Sequence, residues 1–548
     1  MKQRRVFSLL LVGALMTAIL VSGGGSAGAS SSENYAASHG CASSLVLCTE
    51  VQDPQSVFGH YVGHDEPSVL FYSNTPGSGN HMQYNVTLPT EPAGPFSDSN
   101  GYSAEVSPAF WFGMAMCDTQ SYPESSSVCT PDSDSNIVNP ADTKHAPGAA
   151  FMELQFYPPG FASQFAGISC DATKWCVALT IDSLSENAFT GQQLNPTCTA
   201  EVGGSIEYRN FAYLTMSGTP IGPPGPLDFQ FIGSGDPHSS ADTFYMNQGD
   251  NITVSLSDTP NGLQTIVHDN SNPDPATNTG TMTASAANGF GQMKFLPSGH
   301  ACQQLPYTFH PMYSTSTPQT RVLWAAHDYN VAMDAETGHF DFCSSIDPNF
   351  NGCNGTEGIP GDQEPADGED FGCFSDAQNA NPAYVAPPGQ DAAYCLLSNV
   401  GFDGTSYNNY WPNGTGTNAT AFLFSSPKTG ANDTTPYPQF AFEADLPAIE
   451  SNATGGPCDN VTGVGCTNPP VTDDGSPANF YPYFSTVDNG GACNWGAGST
   501  LPNTINDFGG SAAEFGSLLA EPYWLTGQHG KAANFIENYN SGPLTNTC

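Results

Sequence analysis

The chain has 548 residues, and its 10 Lys and Arg stand against 52 Asp and Glu, which gives a formal net charge of −42 at pH 7. The imbalance comes from a scarcity of basic residues, so a phosphate-neutralising patch cannot form, and nucleic acid and anionic membranes are excluded as expected partners. At low pH the carboxylates become neutral and few positive charges remain to expand the fold, so we expect an acid-adapted protein.

Residues 1–29 have the layout of a secretory signal peptide. Lys2, Arg4 and Arg5 precede an apolar run over 6–21, and small residues lead to a predicted cleavage after Ala29. No later segment approaches the roughly 18–20 uninterrupted apolar residues of a membrane span. We therefore expect a secreted, extracellular and soluble mature chain.

All sixteen cysteines follow this segment. An even number of cysteines in an exported chain indicates disulfides rather than metal thiolates. Sequence spacing does not decide the connectivity, but several local pairs are plausible. These pairs are Cys41 with Cys48, Cys117 with Cys129, Cys170 with Cys176, Cys353 with Cys373, and Cys458 with Cys466.

Short runs rich in β-branched and aromatic residues recur between Gly, Pro and Asn, and helical periodicity is nearly absent up to residue 300. This pattern predicts an all-β fold, an antiparallel β-sandwich of the jelly-roll or concanavalin-like kind, disulfide-bonded and divided into two or more β-rich modules. The predicted divisions are the signal peptide 1–29, a Ser-rich lead-in 30–55, a β-sandwich domain 56–300, a β-rich module with acidic loops 301–449, and a Gly/Asn-rich module 450–548.

The predicted strands of the sandwich domain begin with 68–73 and 81–88, and a loop before the first of them carries His64, Asp65 and Glu66. Three adjacent titratable side chains can form a catalytic or metal cluster, and a solvated loop is the alternative. Further predicted strands are 175–182, 207–215, 251–257 and 263–268, of which the last two form a hairpin. A Pro-rich loop is predicted at 220–226 and a short helix at 512–519.

The strand at 151–157 carries the candidate functional face. Because side chains alternate along a strand, Phe151, Glu153, Gln155 and Tyr157 share one side, while the other side is apolar and belongs to a core. A carboxylate and a carboxamide between aromatic rings suit a sheet face that holds a sugar or an extended peptide. The alternative is an ordinary solvent-facing row of an antiparallel sheet.

A glycosidase needs two carboxyl groups about 5 Å apart for retention, or about 6.5–9.5 Å apart for inversion. Neighbouring strands lie about 4.8 Å apart, so Glu153 opposite Asp182 or Glu207 would meet one of these requirements. Glu153, Gln155, Asp182 and Glu207 are therefore the candidate catalytic residues of a lectin-like or hydrolytic protein directed at polysaccharide. In acid, a general acid stays protonated without much burial.

Two acidic loops have alternating oxygen donors that can converge on calcium. The first contains Asp132, Asp134 and Asn136, although Ile137 and Thr143 depart from the EF-hand pattern, and an Asx-turn loop is the alternative. The second resembles thrombospondin type 3 calcium loops, and its alternative is a flexible acidic loop. Its predicted ligands are Asp347, Asn349, Asn351 and Asp362. No phosphate loop, dinucleotide fingerprint or nucleophile elbow is present in a suitable setting, so no organic cofactor is expected.

Three segments resemble motifs of a group of large, secreted bacterial β-rich proteins without an assigned function. They are GHDEPSV at 63–69, the strand region 151–161, and MTASAANGF at 282–290. This resemblance covers most of the mature chain and implies secretion and a β-rich fold.

A second resemblance is to the acid-acting glutamic peptidases, and it rests on GDNITV at 249–254 and on a Glu in an aromatic strand that ends in Tyr-Pro. It implies a concanavalin-like sandwich and a Gln/Glu catalytic pair. That family has the two residues on separate strands, whereas Glu153 and Gln155 share one, so Gln155 is not carried over. Polysaccharide-directed, peptidase, and cell-surface or structural roles therefore stay open.

The second acidic loop generates a test of calcium binding. An ion bound only by the folded state stabilises it by RT ln(1 + [L]/Kd), about 2.7 kcal/mol at one hundred times Kd. We expect the melting temperature near pH 6 to be higher in calcium than in a chelator, and Asp347→Ala to remove the difference. Equal melting temperatures in calcium and chelator would count against a calcium site.

Overall fold

A computed structural model describes a set of separate ranges of the chain. These are residues 64–90, 109–121, 128–136, 147–157, 171, 173–187, 192–202, 207–228, 240–295, 302–317, 320, 330–338, 340–343, 391–394, 423–445, 482–497, 504–509, 520–522, 532–534 and 544–548. Within them the chain is nearly all β, with a single α-helix, α1 (Pro196–Glu201).

The strands of the first part are β1 (His64–Tyr72), β2 (His81–Thr87), β3 (Ala109–Cys117), β4 (Ala149–Tyr157), β5 (Lys174–Leu184), β6 (Glu186–Asn187), β7 (Gln192–Gln193), β8 (Glu207–Tyr213), β9 (Tyr245–Asn247), β10 (Asn251–Thr259), β11 (Gly262–Asp269), β12 (Thr279–Thr283), β13 (Gly291–Lys294) and β14 (Gln303–Pro306). Those of the second part are β15 (Ala332–Gly338), β16 (Phe340–Cys343), β17 (Asp391–Tyr394), β18 (Leu423–Phe424), β19 (Lys428–Thr429), β20 (Thr435–Pro436), β21 (Gln439–Asp445), β22 (Pro482–Asn489), β23 (Ala492–Ala497), β24 (Thr504–Gly509), β25 (Ala520–Pro522), β26 (Ala532–Asn534) and β27 (Leu544–Thr545).

Two large antiparallel sheets organise the described strands. Sheet I has the order β27-β21-β1-β15-β3-β4-β5-β8, with β9 also paired to β5. Sheet II has the order β12-β11-β10-β2-β18-β23-β22-β24, with β19 and β20 attached beside β2. Both sheets contain strands from all three predicted divisions beyond residue 56, because β15, β18 and β21 come from the second and β22–β24 and β27 from the third.

The sheets pack face to face around one apolar core, as the predicted antiparallel sandwich requires. Alternate side chains of the central strands point into this core and are fully buried. Sequences in which every second residue is apolar therefore form these strands. The central contributors from sheet I are Phe110, Phe112, Met152, Leu154, Phe156, Val177, Leu179 and Ile181, and those from sheet II are Met82, Tyr84, Val86, Ile252, Val254, Leu256 and Trp495.

The predicted hairpin is confirmed as β10 and β11. Ile252, Val254 and Leu256 are fully buried, while the residues between them are partly exposed. Gly262 begins the returning strand at φ +108, in the region that favours glycine, and a Cβ there would lie 2.8 Å from the carbonyl oxygen of Ala284. Glycine is therefore required both by the backbone angle and by the close approach.

The two sheets differ in their outer faces. On sheet II, β2 and β10 alternate buried apolar with exposed or partly exposed polar residues. On sheet I the outer face is also apolar, because Trp111, Phe151 and Leu184 pack with Met312 and Tyr313 in a second cluster. Around β3, β4 and β5, sheet I is thus covered by apolar side chains on both faces, and Glu153 and Gln155 on its outer face are only partly exposed.

Three disulfides lie within the described ranges, where no cysteine is free. Cys117–Cys129 confirms a predicted local pair. Cys198–Cys302 and Cys493–Cys548 join residues 104 and 55 positions apart and were not predicted. Cys176 is also disulfide-bonded. Its predicted partner Cys170 lies outside the described residues, as do both members of the remaining predicted pairs.

Two sequence-based assignments differ from the structure. His64, Asp65 and Glu66 belong to β1 and not to a preceding loop, because β1 pairs with β15 from His64 onward. Helix α1 was missed because it is only six residues long, too short for a periodic pattern. The residues at its start nevertheless favour a helix. Oδ1 of Asn195, the N-cap residue, accepts hydrogen bonds from the backbone N–H groups of residues 197 and 198, and Pro196 occupies the first helical position.

The predicted helix at 512–519 lies outside the described residues, and the Pro-rich segment 220–226 contains no strand, as expected. Within the described ranges no helix is long and apolar enough to cross a membrane.

The disulfides generate a stability test. In the chain-entropy model, the pair closing 104 residues should stabilise the fold by about 2 kcal/mol more than the pair closing 12. We therefore expect Cys198→Ala/Cys302→Ala to lose more unfolding free energy in urea than Cys117→Ala/Cys129→Ala. An equal or reversed order would show that native-state contacts, and not loop closure, set their contributions.

Candidate functional site

Glu153 and Gln155 lie on the outer face of β4 and are partly exposed, while Leu154 between them is in the core. The carboxamide of Gln155 donates from Nε2 to Oε2 of Glu153. Its oxygen accepts hydrogen bonds from the hydroxyls of Tyr157 and Thr180, the latter at 3.0 Å. Two donors on the amide oxygen fix which end of the carboxamide meets the carboxylate, so Gln155 orients Glu153.

The aromatic rings around this pair are buried, since Phe151, Tyr157 and Trp111 are 2%, 5% and 4% exposed. Gly113 lies opposite Glu153 in β3, and a Cβ at Gly113 would be 2.2 Å from Cζ of Phe151. The missing side chain thus leaves the space that the tip of the Phe151 ring occupies. The polar pair therefore emerges between packed rings and not on a broad aromatic platform.

Of the other two predicted carboxylates, Asp182 lies on β5, next to β4, and Glu207 lies on β8, beyond β5. The predicted position directly opposite Glu153 is taken by neither of them. Thr180 of β5 occupies that position, and Asp182 is opposite Phe151. Asp182 is therefore the diagonal neighbour of Glu153, at about 7–8 Å between Cα atoms. It is 7% exposed and forms an ion pair with Arg209, whose Nε lies 3.0 Å from Oδ1.

Glu207 is the first residue of β8 and lies opposite Leu184 of β5. Glu153 is opposite Thr180 of β5 and Glu207 is opposite Leu184, so Asp182 lies between these two positions along β5. The register thus places the backbone of Asp182 nearer to Glu153 than that of Glu207.

The predicted ligands Asp134 and Asn136 of the first acidic loop form hydrogen bonds with other residues of the protein. Oδ1 of Asp134 accepts both the backbone N–H and the hydroxyl of Thr315 at 2.8 Å. Asn136 is 4% exposed and donates to the carbonyl of Met312. These bonds fit the Asx-type alternative, and calcium binding by Asp132, Asp134 and Asn136 stays a prediction. Within the described part of the chain, no group of three or more His, Cys, Asp or Glu is arranged to hold a metal.

The remaining predicted calcium ligands cannot be placed by the structure. Asp347, Asn349, Asn351 and Asp362 lie outside the described residues.

A titratable cluster beside the first acidic loop was not predicted from the sequence. His310 Nδ1 lies 2.7 Å from Oδ1 of Asp258, and this hydrogen bond raises the pKa of His310 above its ordinary value of 6.5. Burial, followed by the nearby charge of Asp258, raises the pKa of Asp132. By contrast, hydrogen bonds from Thr315 and its neighbour lower the pKa of Asp134, against the opposing effect of burial.

The most completely buried acid in the described chain was also missed. Asp118 directly follows β3 and is fully buried, and burial raises the pKa of its carboxyl above the ordinary value of 3.8, although hydrogen bonds oppose this. Its oxygens accept hydrogen bonds from the backbone N–H groups of Gln120 and Ser121, the hydroxyls of Ser183 and Tyr208, and Nε2 of Gln292. A single Asp after a Cys carries no sequence signal for such a role.

These pKa shifts predict how stability depends on pH. A group whose pKa is raised in the folded state contributes stability that is fully present below its ordinary pKa and is lost as the pH rises through its folded-state pKa. For Asp118 this loss begins above 3.8, and for His310 it begins above 6.5. The lowered pKa of Asp134 has the opposite sign and loses its contribution below 3.8. We expect the melting temperature to rise from pH 8 to pH 5, and the rise to be smaller in Asp258→Asn.

The control for this experiment is Asp274→Asn, which changes an exposed aspartate outside this cluster and should keep the full pH dependence. A melting temperature that climbs from pH 5 to pH 8 in the unaltered protein would contradict the sign of these shifts.

Comparison with known proteins gave no match, whether to protein-family models, to curated proteins or to solved structures. The two resemblances drawn from short motifs therefore stay predictions. Function has to be argued from the residues of the site.

Proposed function

We propose that the protein is a secreted, acid-adapted hydrolase of extracellular polysaccharide, with Glu153 and Asp182 as its carboxylate pair. The observation that carries the proposal is the oriented, partly exposed Glu153 with a second carboxylate at the diagonal position of the next strand. With Cα atoms about 7–8 Å apart on one face, the two side chains are able to place their carboxyl groups at the separation of about 6.5–9.5 Å that inverting glycosidases use.

The environments of the two carboxylates support different roles. Asp182 is buried beside Arg209, whose positive charge compensates its negative charge. Glu153 is partly exposed and is held by the neutral amide of Gln155. In acidic surroundings Glu153 can carry a proton and act as general acid, while Asp182 supplies the negative charge or the base.

Burial of the surrounding rings favours hydrolysis over a lectin-like role within this class. Lectin-type surfaces stack sugars on exposed rings, whereas Phe151, Tyr157 and Trp111 are almost completely buried. Packed rings instead hold a carboxylate rigidly, which is what a catalytic group requires.

A glutamic-type acid peptidase is the second candidate, and one contact favours it. The amide of Gln155 bonds directly to the carboxylate of Glu153, so a Gln/Glu pair exists in space although both residues come from one strand. Such a pair can position a water molecule for attack on a peptide carbonyl. Both candidate activities depend on Glu153, so they are distinguished by whether sugar or peptide is released.

The disulfides and the shortage of basic residues support an extracellular, acidic setting for either activity. Catalysis by the Glu153 pair invokes no metal. A cell-surface or structural protein is the third possibility, and it predicts no turnover.

The test is an assay at pH 3–4 on a glycan panel and on denatured protein. We expect sugar release, and Glu153→Gln should lower it by about 10²–10⁴-fold because the proton donor is lost. Glu201→Gln, at an exposed glutamate of α1, is the matched control and should be fully active.

Peptide release that depends on Glu153 would replace the polysaccharide proposal by the peptidase. Full activity of Glu153→Gln would remove Glu153 from catalysis, and absence of both activities in the unaltered protein would favour the structural role.

A further inference from the structure

Two copies of one sequence pattern lie side by side on the outer face of sheet II. Asn85 and Thr87 of β2 enclose one residue, as do Asn251 and Thr253 of β10, and Asn-x-Thr is a pattern that accepts N-linked glycans in exported proteins. The register places Asn85 opposite Thr253 and Asn251 opposite Thr87. Both asparagines are exposed, while the enclosed residues point into the core. The two acceptor patterns therefore face solvent together.

Reciprocal hydrogen bonds join these two patterns. The hydroxyl of Thr87 donates to Oδ1 of Asn251 at 2.9 Å, and that of Thr253 donates to Oδ1 of Asn85 at 3.2 Å. Both bonds use the amide oxygen, and no residue in the described part of the chain accepts a hydrogen bond from Nδ2 of either asparagine. N-glycosylation replaces one hydrogen of Nδ2 and leaves Oδ1 in place. A sugar on either asparagine is therefore compatible with the pairing.

A third copy of the pattern lies in the turn between β19 and β20, which borders the same face. Its Asn432 and Thr434 are exposed. Between them, Oδ1 of Asp433 lies 2.7 Å from Nδ1 of His81, and Oδ2 accepts a hydrogen bond from Nε2 of Gln83 at 3.2 Å. His81 and Gln83 alternate with the core residues of β2. All three copies within the described ranges thus present an exposed asparagine on or beside one sheet face.

The whole sequence shows a bias in these patterns. It contains eight of them, and all eight have Thr and none has Ser at the third position, although Ser is at least as common as Thr in the chain. N-linked glycans are transferred more efficiently to Thr patterns than to Ser patterns. The five that lie outside the described residues begin at Asn354, Asn413, Asn418, Asn452 and Asn460.

We propose that Asn85, Asn251 and Asn432 carry N-linked glycans, which cover the outer face of sheet II. The inference rests on export of the chain and not on the activity assigned to Glu153. Within the described ranges, none of these patterns lies in a strand of sheet I, so the glycans leave the face that carries Glu153 open.

The transfer balances with one co-reactant, an oligosaccharide linked to a lipid diphosphate, which a transferase of the export pathway uses. The bond from Nδ2 to the anomeric carbon of the first sugar forms, and the bond from that carbon to the diphosphate oxygen breaks. The amide loses one proton, and the lipid diphosphate leaves with the electron pair of the broken bond. Neither oxidation nor reduction occurs.

The charge of the protein gives the modification a physical role. The net charge of −42 at pH 7 keeps copies of the chain apart, but protonation of the carboxylates in acid removes this repulsion, and few basic residues replace it. Neutral sugars stay hydrated at every pH, and they are bulky and solubilising. Glycans on sheet II should therefore keep the protein dissolved at the low pH where its own charge is lost.

Glycopeptide mass spectrometry of the mature protein, purified from the medium of its own host, tests the proposal. We expect the peptides that contain Asn85, Asn251 and Asn432 to carry added sugar mass, which electron-transfer fragmentation should locate on the asparagine. Asn195 is an internal control. It is buried and precedes Pro196, which blocks the pattern, so it should carry no sugar.

Matched variants make the test specific. Asn85→Gln and Asn251→Gln keep an amide but remove the acceptor, so each should lose the sugar of its own site and keep that of the other. Thr87→Ser keeps the pattern and the hydroxyl, so its Asn85 should still be modified, whereas Thr87→Val should lose the sugar on Asn85 alone. Far-UV circular dichroism checks that each variant is folded.

The double variant Asn85→Gln/Asn251→Gln tests the role in acid. It should be less soluble than the unaltered protein at pH 3–4 and equally soluble at pH 7, where the net charge is intact. Its activity per dissolved molecule should be unchanged, because neither residue belongs to the Glu153 face. Failure of the glycan proposal and failure of the proposed function are therefore distinguishable.

Two results would overturn the modification. One is unmodified Asn85 and Asn251 in the exported protein. The other is sugar on Asn85 that persists in Thr87→Val, or sugar on Asn195, since either would show attachment that ignores the pattern. Equal solubility of the double variant and the unaltered protein at pH 3–4 would overturn the role assigned to the glycans.

Discussion

A buried carboxylate is tolerated only when its oxygens are hydrogen-bonded, and this constraint on Asp118 determines how the outer layer covers sheet I. The donors come from the turn after β3, from β5 and β8, and from β13. Each of these segments must therefore pack so that its donor lies beside the carboxylate of Asp118. Leaving a buried hydrogen-bonding group without its partner costs about 1–3 kcal/mol, and more for a charged group, so the network disfavours other arrangements of this layer.

The candidate site depends on the same packing. Around β3, β4 and β5 both faces of sheet I carry buried apolar side chains, and the outer layer buries the rings beside Glu153 while leaving Glu153 and Gln155 partly exposed. A rigid sheet with packed rings fixes the carboxylate, and the neighbouring strand supplies Asp182 at a set diagonal position. Covalent links have a complementary effect, because disulfides join segments that are 104 and 55 residues apart in the chain.

Sequence reasoning succeeded where local pattern determines the outcome. Alternation of Ile252, Val254 and Leu256 predicted both a strand and its buried face, and the close pair Cys117–Cys129 was found from spacing. It failed where the partners are remote, since the side chains that bind Asp118 lie 65, 90 and 174 residues away. The relation of Glu153 to Asp182 also could not be predicted, because a one-residue change of register alters every cross-strand pair.

Unfolding free energies of Asp118→Ala and Asp118→Asn, measured in urea at one pH, test the role of the Asp118 network most directly. Alanine leaves these donors unpaired, and each buried donor without a partner costs about 1–3 kcal/mol, so we expect a loss of about 3 kcal/mol or more. Asparagine can turn its oxygen toward the N–H donors and its nitrogen toward the hydroxyls of Ser183 and Tyr208, so it should recover most of that loss. An alanine variant within about 1 kcal/mol of the unaltered protein, the range of ordinary surface substitutions, would contradict the account.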